Sequence, residues 1–317
     1  MIAEPRIDAK LHRLGDTTID FHRRVAVMAI VNRTPDSFYD RGATFELDAA
    51  LRAGLQAFDD GADLLDVGGV KFAPGPPLPV EEEADRVVPF VRELAQHGPV
   101  SVDTFHPEVA RRAIEAGAAV INDTTGLHDP EMASVVADSE ALLVIAHSVA
   151  KPRTRLVGPM YTDVVAEVLE FLESRVELAL ARGVRPEQII VDPGHDLNKN
   201  TLHSLEITRR LEEFAGLGYP LLVALSNKDF IGESLHRERS ERLSGSLSSA
   251  VWCATQGARI VRVHNVPETV DAIHMFEAIQ GWREPAYLRH NMPLVGADPR
   301  PASDGDVAEP PSTLASA

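Results

Sequence analysis

Eight short apolar runs in this chain each finish in polar side chains. In chain order these are Asn32, Asp66, Asp103, Asn122 with Asp123, His147, Asp192, Ser226 with Lys228, and Arg262 with His264. Neighbouring Asp and Asn side chains present acceptors and donors along a flat edge. That edge suits a heterocycle with amidine-like N–H groups, because a carboxylate facing it forms a paired, charge-assisted hydrogen bond. Lys228, Arg262, His264 and Asn32 are cationic or amide groups of the kind that hold a phosphate or pyrophosphate. Taken singly, each has a plainer reading. Asp and Asn form turns and cap helices, His147 or His264 can be packed, and Lys228 can be a solvated charge. Eight runs ending the same way point instead to one polar binding site.

The elements that must position these groups follow from the apolar pattern. The runs are "VAVMAIV" (25–31), "DLLDVG" (63–68), "PVSVDT" (99–104), "AVINDT" (119–124), "ALLVIAH" (141–147), "QIIVDPG" (188–194), "PLLVALS" (220–226) and "RIVRVH" (259–264). Segments of helical period separate them. Residues 46–60 set Leu47, Leu51, Leu55 and Phe58 on one face, residues 163–182 do so with Val164, Val168, Leu172, Val176 and Leu180, and residues 267–281 close the series. Runs apolar on both faces, alternating with helices, indicate a parallel sheet. Eight such units in about 260 residues predict a (β/α)8 TIM barrel, whose strand ends converge on one C-terminal mouth. An open doubly wound sheet would bring a glycine fingerprint after the first strand, and "IVNRTPDSF" is not one. The expected organisation is an N-terminal extension (1–24), carrying a short strand or hairpin over the barrel bottom, the barrel (25–283), and a tail (284–317). The last 25 residues hold five prolines and almost no large apolar side chains, so the tail is expected to be mostly disordered.

Bulk properties exclude some functions. The 317 residues carry a formal charge of −17, which disfavours a nucleic acid partner. No stretch reaches the roughly 18 apolar residues that cross a bilayer, and "MIAEPRIDAKLHRLGD" has no signal-peptide core. The single cysteine, Cys253, lies in "SAVWCATQG", reads as core packing, and suits a reducing cytoplasm.

The motifs resemble those of the dihydropteroate synthases. "MAIVNRTPDSFYDRG" is similar to that family's first signature, N-x-T-P-D-S-F followed by glycine. "SVDT", "INDTTG", "VDPG", "SNKDFIG" and "RVHNV" follow in the family's order, and "GPMYTDVVAEVLEFL" matches a further stretch, so the resemblance covers about residues 25–281. It implies a TIM barrel, a homodimer, and a transferase that condenses a pterin pyrophosphate with p-aminobenzoate with Mg2+ assistance. It implies that Asp103, Asn122, Asp192 and Lys228 line the pterin pocket and that Asn32, Arg262 and His264 face the pyrophosphate. Lys228, Arg262 and His264 are then the candidate catalytic groups, and Asn32 the candidate metal ligand.

Departures from the family pattern are as specific as the matches. The loop usually written D-I-G-G-E-S-T-R-P-G reads "DVGGVKFAPG", with Val70, Lys71, Phe72 and Ala73 in place of Glu, Ser, Thr and Arg. The block D-P-G-I-G-F-G-K reads "DPGHDLNK", with Leu197 where an aromatic side chain usually packs. S-R-K-S/R-F reads "SNKDF", with Asn227 for Arg and Asp229 for a Ser that commonly meets the aminobenzoate carboxylate, and Ala146 stands where methionine is usual. The changes gather on the second-substrate side. They predict a pterin-binding paralogue, impaired or inactive in the condensation, because a lost cation and an added carboxylate both oppose an anionic substrate. The competing readings are an active synthase with a rearranged aminobenzoate site, in which Lys71 replaces the arginine, a methyl-tetrahydrofolate user of the corrinoid type, and a regulatory ligand-binding barrel. Intact Arg262, His264 and N-x-T-P-D-S-F weigh against the corrinoid type.

Overall fold

Each predicted apolar run contains a strand. A short hairpin, β1 (His12–Leu14) and β2 (Thr17–Ile19), precedes β3 (Ala26–Asn32), β4 (Leu64–Gly68), β5 (Val100–Asp103), β6 (Val120–Asp123), β7 (Leu142–Ala146), β8 (Ile189–Asp192), β9 (Leu221–Val223) and β10 (Ala258–Val263). The last eight are parallel neighbours in sequence order, and β10 closes on β3, forming a TIM barrel. The computed structural model describes residues 7, 11–32, 43–69, 78–152, 154 and 156–290.

Side chains alternate between two cores, as the two-residue period of a strand requires. Val27, Ala29, Leu65, Val67, Val102, Ile121, Val191 and Val261 face the surrounding helices. Met28, Leu64, Val120, Val144, Ile190, Leu222 and Ile260 fill the barrel interior together with Leu14, Ile19 and Phe21 of the hairpin region. The expected N-terminal cover of the barrel bottom is thus present as the antiparallel β1–β2 pair, His12 opposite Ile19. At the other end of the chain, Trp282 packs on Phe276 at 5.5 Å between ring centroids and under the buried Arg259 guanidinium at 5.0 Å. The expected disordered tail lies, from residue 291 on, outside the described residues.

Between and after the strands lie helices α1 (Ala43–Asp59), α2 (Val80–Leu94), α3 (Pro107–Glu115), α4 (Glu131–Ala137), α5 (Val164–Ala181), α6 (Thr201–Arg209), α7 (Glu212–Ala215), α8 (Asp229–Leu235), α9 (Leu243–Thr255) and α10 (Val266–Ile279). Two helical faces differ from their expected composition. In α1 (Ala43–Asp59), Gly54 and Ala57 are buried and Leu55 is exposed. A Cβ on Gly54 would come within 2.8 Å of Leu94, so the helix approaches its neighbour through the glycine. In α5 (Val164–Ala181), Val164, Val168, Leu172 and Val176 are buried, but Ala179 takes the last place and Leu180 is exposed. A strict four-residue spacing advances by about 400° per step at 3.6 residues per turn, so the series rotates off the buried face by its end. Cys253 is fully buried in α9 (Leu243–Thr255) within the outer core, and burial pushes its thiol pKa up.

Candidate functional site at the barrel mouth

Going up the inside of the barrel, apolar residues give way to polar ones two positions later. Leu64 is followed by Asp66, Val120 by Asn122, Ile190 by Asp192, and Ile260 by Arg262. The strand period places each polar group directly above its apolar predecessor, at the C-terminal mouth.

Asp66 is the hub of one half of this mouth. It is fully buried and accepts from Ser101 Oγ at 2.6 Å, Asn122 Nδ2 at 3.2 Å and Arg262 Nε at 2.6 Å. The guanidinium of Arg262 also lies 3.6 Å from Asp103 Oδ2, and Thr124 Oγ1 donates to Asp103 at 3.3 Å. Burial opposes the Arg262 charge, but Asp66 and Asp103 outweigh it and its pKa rises. Burial, and then the neighbouring Asp66 charge, push the Asp103 pKa up to about 7. Because the Asn122 amide donates to Asp66, its Oδ1 is left as a buried acceptor without a partner among the described residues.

The other half is built from the ends of β8 and β9. Asp192 accepts from the Gly194 N–H at 2.7 Å, and burial raises its pKa against the opposing Lys228 charge. The Lys228 ammonium donates to the His195 carbonyl; burial lowers its pKa, while Asp196 and Asp192 support its charge. His264 is exposed at the rim, with its N–H and its Nδ1 3.2 Å and 3.1 Å from Ser226 Oγ. Local desolvation, then the charges of Arg239, Arg262 and Lys228, push its pKa down to about 4, so the ring is neutral at pH 7. Arg262 acts electrostatically on Asp192, Lys228 and His264, so the two halves form one site.

The predicted set Asp103, Asn122, Asp192, Lys228, Arg262 and His264 is therefore brought together. Asn32 ends β3 opposite Gly68, and its side chain lies outside the description, as do Val70, Lys71, Phe72 and Ala73.

Residues 28–264 match the family described as pterin binding enzyme. The chain belongs to that family. It is 46% identical over 270 residues to a Mycobacterium leprae protein named inactive dihydropteroate synthase 2, covering 83% of this chain and 93% of the other. It is 40% identical over 261 residues to the dihydropteroate synthase of Escherichia coli, covering 81% and 93%. The structure of dihydropteroate synthase from Xanthomonas albilineans in complex with 7,8-dihydropteroate superposes with a TM-score of 0.76 at 36% identity, covering 86% of this chain and 99% of that one. This is a divergent dihydropteroate synthase paralogue.

Of the described positions where it departs from the synthases, Ala146 ends β7 and the others, Leu197, Asn227 and Asp229, follow β8 and β9. Leu197 is half-buried in the loop after β8. Asn227 adopts a left-handed backbone (φ 58°), with its N–H on Ser246 Oγ at 3.0 Å and its carbonyl on Arg242 Nη1 at 2.9 Å. The Asp229 side chain is 85% exposed, and Arg242 Nη1 meets its carboxylate at 2.9 Å. The charge expected to repel an anion is thus partly neutralised by a residue that the sequence reading passed over. Also passed over were the hub role of Asp66, its partner Ser101, and Lys199. The buried Lys199 amine reaches His147 Nδ1 at 2.7 Å and the carbonyls of Gly194 and Leu197 at 2.9 and 3.0 Å. Burial, then the Lys199 charge, push the His147 pKa down to about 3, and burial lowers that of Lys199. Three acceptors nevertheless match the three N–H bonds of an ammonium.

Proposed function

We propose that this protein binds a pterin, and a pterin pyrophosphate, but condenses it with p-aminobenzoate poorly or not at all. The observation that carries the pterin half is the saturated Asp66–Asn122–Arg262–Asp103 network, which leaves Asn122 Oδ1 as a buried acceptor awaiting a ligand N–H. A buried polar atom without a partner is costly unless a ligand or water completes it. Support for the second half comes from Asn227 and Asp229, which supply no cation of their own and engage Arg242 through the Asn227 carbonyl and the Asp229 carboxylate, and from the similarity to a relative whose name declares it inactive.

On this reading Asp103, Asn122 and Asp192 orient the heterocycle, Lys228 and Arg262 offset the negative charge of the diphosphate, and the neutral His264 contributes a hydrogen bond to it. Mg2+ fits as an ion that arrives with the diphosphate. Among the described residues no group of three or more His, Cys, Asp or Glu side chains could hold a metal ion, and Arg262 already engages Asp66 and Asp103. Mg2+ commonly takes one or two protein oxygens plus phosphate and water, so Asn32 with phosphate oxygens is the proposed ligand set. When bound, the ion neutralises charge on the departing pyrophosphate.

Calorimetry with 6-hydroxymethyl-7,8-dihydropterin tests the reading. Pterin N–H donors favour the ionised Asp103, so affinity is expected to rise about tenfold between pH 6 and pH 8 and then level off, following the raised pKa. Asp103→Asn should flatten that profile. No detectable binding to the parent protein would refute the proposal, and so would p-aminobenzoate-dependent turnover at an ordinary synthase rate.

The buried Cys253 fits a reducing cytoplasm, and among the described residues no helix is long and apolar enough to cross a membrane. A homodimer is also proposed. Helix α9 carries no charged residue and shows Trp252 to solvent, with its Nε1 donating to the Thr208 carbonyl at 3.0 Å, and the neighbouring α10 (Val266–Ile279) exposes Met275 and Ile279. A charge-depleted face with an aromatic centre suits contact with a second copy. Sedimentation equilibrium should give a dimer at micromolar concentration, and a monomer throughout that range would overturn this assignment.

A further inference from the structure

Between Asp192 and helix α6 (Thr201–Arg209) the backbone enters the left-handed region three times, at Gly194 (φ 68°), Asp196 (φ 62°) and Asn198 (φ 54°). Glycine is required at the first position, since a Cβ there would lie 2.2 Å from the His147 carbonyl oxygen. Asp and Asn are tolerated at the other two because their short side chains hydrogen-bond nearby. Here those side chains reach across to the two flanking loops. Asn198 Oδ1 accepts from Ser148 Oγ at 2.9 Å and from the Val149 and Ala150 N–H groups at 3.0 Å each, all in the loop after β7. Asp196 Oδ1 accepts from Ser204 Oγ at 2.9 Å, and its Oδ2 accepts from the Asp229 N–H at 2.9 Å, at the end of the β9 loop.

We infer that Asp196 and Asn198 are specificity-determining residues, which lock the β8–α6 loop onto both neighbours and fix the wall that a second ligand meets beside the pterin. Glycines would allow the same backbone but supply none of these five hydrogen bonds. Leu197 lies between the two anchors, and Lys199 holds its carbonyl at 3.0 Å, so it has little freedom to withdraw. The same loop offers the His195 carbonyl to Lys228. The wall is an apolar side chain whose charged neighbours are already engaged: Asp196 by Ser204 and the Asp229 N–H, Asp229 by Arg242, and Lys228 by the His195 carbonyl. A preformed wall of that kind accepts an uncharged aromatic amine and disfavours an arenecarboxylate, which finds no uncommitted cation among these groups. The ligand half of this inference rests on the proposed function, whereas the lock does not.

The test uses the full chain and the variants Asp196→Gly, Asn198→Gly and the double variant, with Asn198→Asp as the variant that keeps the acceptor. Amide exchange at Val149 and Ala150 should quicken at least about tenfold in Asn198→Gly, and at Asp229 in Asp196→Gly, while Asn198→Asp retains protection. Binding of 4-aminobenzamide and of 4-aminobenzoate is then followed by ligand-observed NMR, with hydroxymethyl-dihydropterin and pyrophosphate present. The parent should prefer the amide by about tenfold, and the double variant should lose most of that preference. Unchanged exchange in the glycine variants overturns the lock. Equal ligand preference in parent and double variant overturns the specificity role. Quickened exchange without any pterin binding in calorimetry would support the lock and count against the proposed function.

Discussion

Replacing Arg262 by methionine is expected to cost about 3 kcal/mol of stability at pH 8 and to abolish measurable pterin binding. Breaking a buried ion pair from one side costs about 3–5 kcal/mol, because a charge is left buried and uncompensated. The lower end applies because the Arg262 side chain keeps 19% exposure, while Asp66 has none. Asp66 would retain Ser101 and Asn122 as donors but lose its only cation partner among the described residues, and Asp103 would lose the opposing charge that now holds its pKa down. The sign of the pH dependence follows from that shift. A carboxyl group whose folded pKa is raised above the unfolded value stabilises the fold at low pH, and this contribution is lost as pH rises through the folded pKa. In Arg262→Met the Asp103 pKa rises further, beyond about 7. The penalty should therefore be smaller at pH 6, where Asp103 is protonated, and largest above pH 8. Urea unfolding at both pH values checks this, and a variant within about 1 kcal/mol of the parent at pH 8 would show that the network carries little energy.

The part of this site that was legible in the sequence is the part set by local pattern. Runs apolar on both faces marked the buried strands, and the polar group that finishes each run, such as Asp66 or Asp192, marked the mouth. What the pattern could not show is which mouth residues touch. Arg262 is 196 positions from Asp66, and Ser101 is 35 away; their meeting depends on barrel closure and strand register, which no local window contains. Arg242 was hidden for a different reason. It lies in "RERSERLSG", a charged stretch that reads as solvated surface, yet its guanidinium is 13% exposed and holds the Asn227 carbonyl. Asp196 and Asn198 are residue types common in ordinary turns. Their left-handed backbone could be anticipated from residue type, but their acceptors' partners, in loops 48 to 50 and 33 positions away, could not. The exposed Leu55 and Leu180 show the limit of counting apolar spacing alone. A close approach at Gly54 and the slow rotation of a four-residue series each moved the buried face by a residue or two.

The largest gain of function is expected from restoring the second-substrate side. The changes are Val70→Glu, Lys71→Ser, Phe72→Thr, Ala73→Arg, Asn227→Arg and Asp229→Ser. Two of them act through contacts visible in the fold. Asp229→Ser removes a carboxylate and frees Arg242 Nη1, now 2.9 Å from it, while the Asn227 and Arg237 carbonyls still hold the guanidinium. Asn227→Arg adds a cation, at a cost of about 1–2 kcal/mol for a long side chain at φ 58°, and it leaves intact the backbone bonds to Ser246 and Arg242. Each regained charge-assisted contact to an anion contributes about 1.5–3 kcal/mol, or roughly 10- to 150-fold if it acts in the transition state. Neighbouring gains will not add simply. The assay is pyrophosphate release that depends on p-aminobenzoate, with pterin pyrophosphate and Mg2+ supplied. A rate rising at least tenfold above the parent places the defect in these six residues. A repaired protein that folds and binds pterin but stays silent rules that out. The locked β8–α6 loop is then the remaining obstacle, because a wall pinned by Asp196 and Asn198 cannot yield to a carboxylate however many cations surround it, and adding Asp196→Gly and Asn198→Gly to the six is the variant that should turn over.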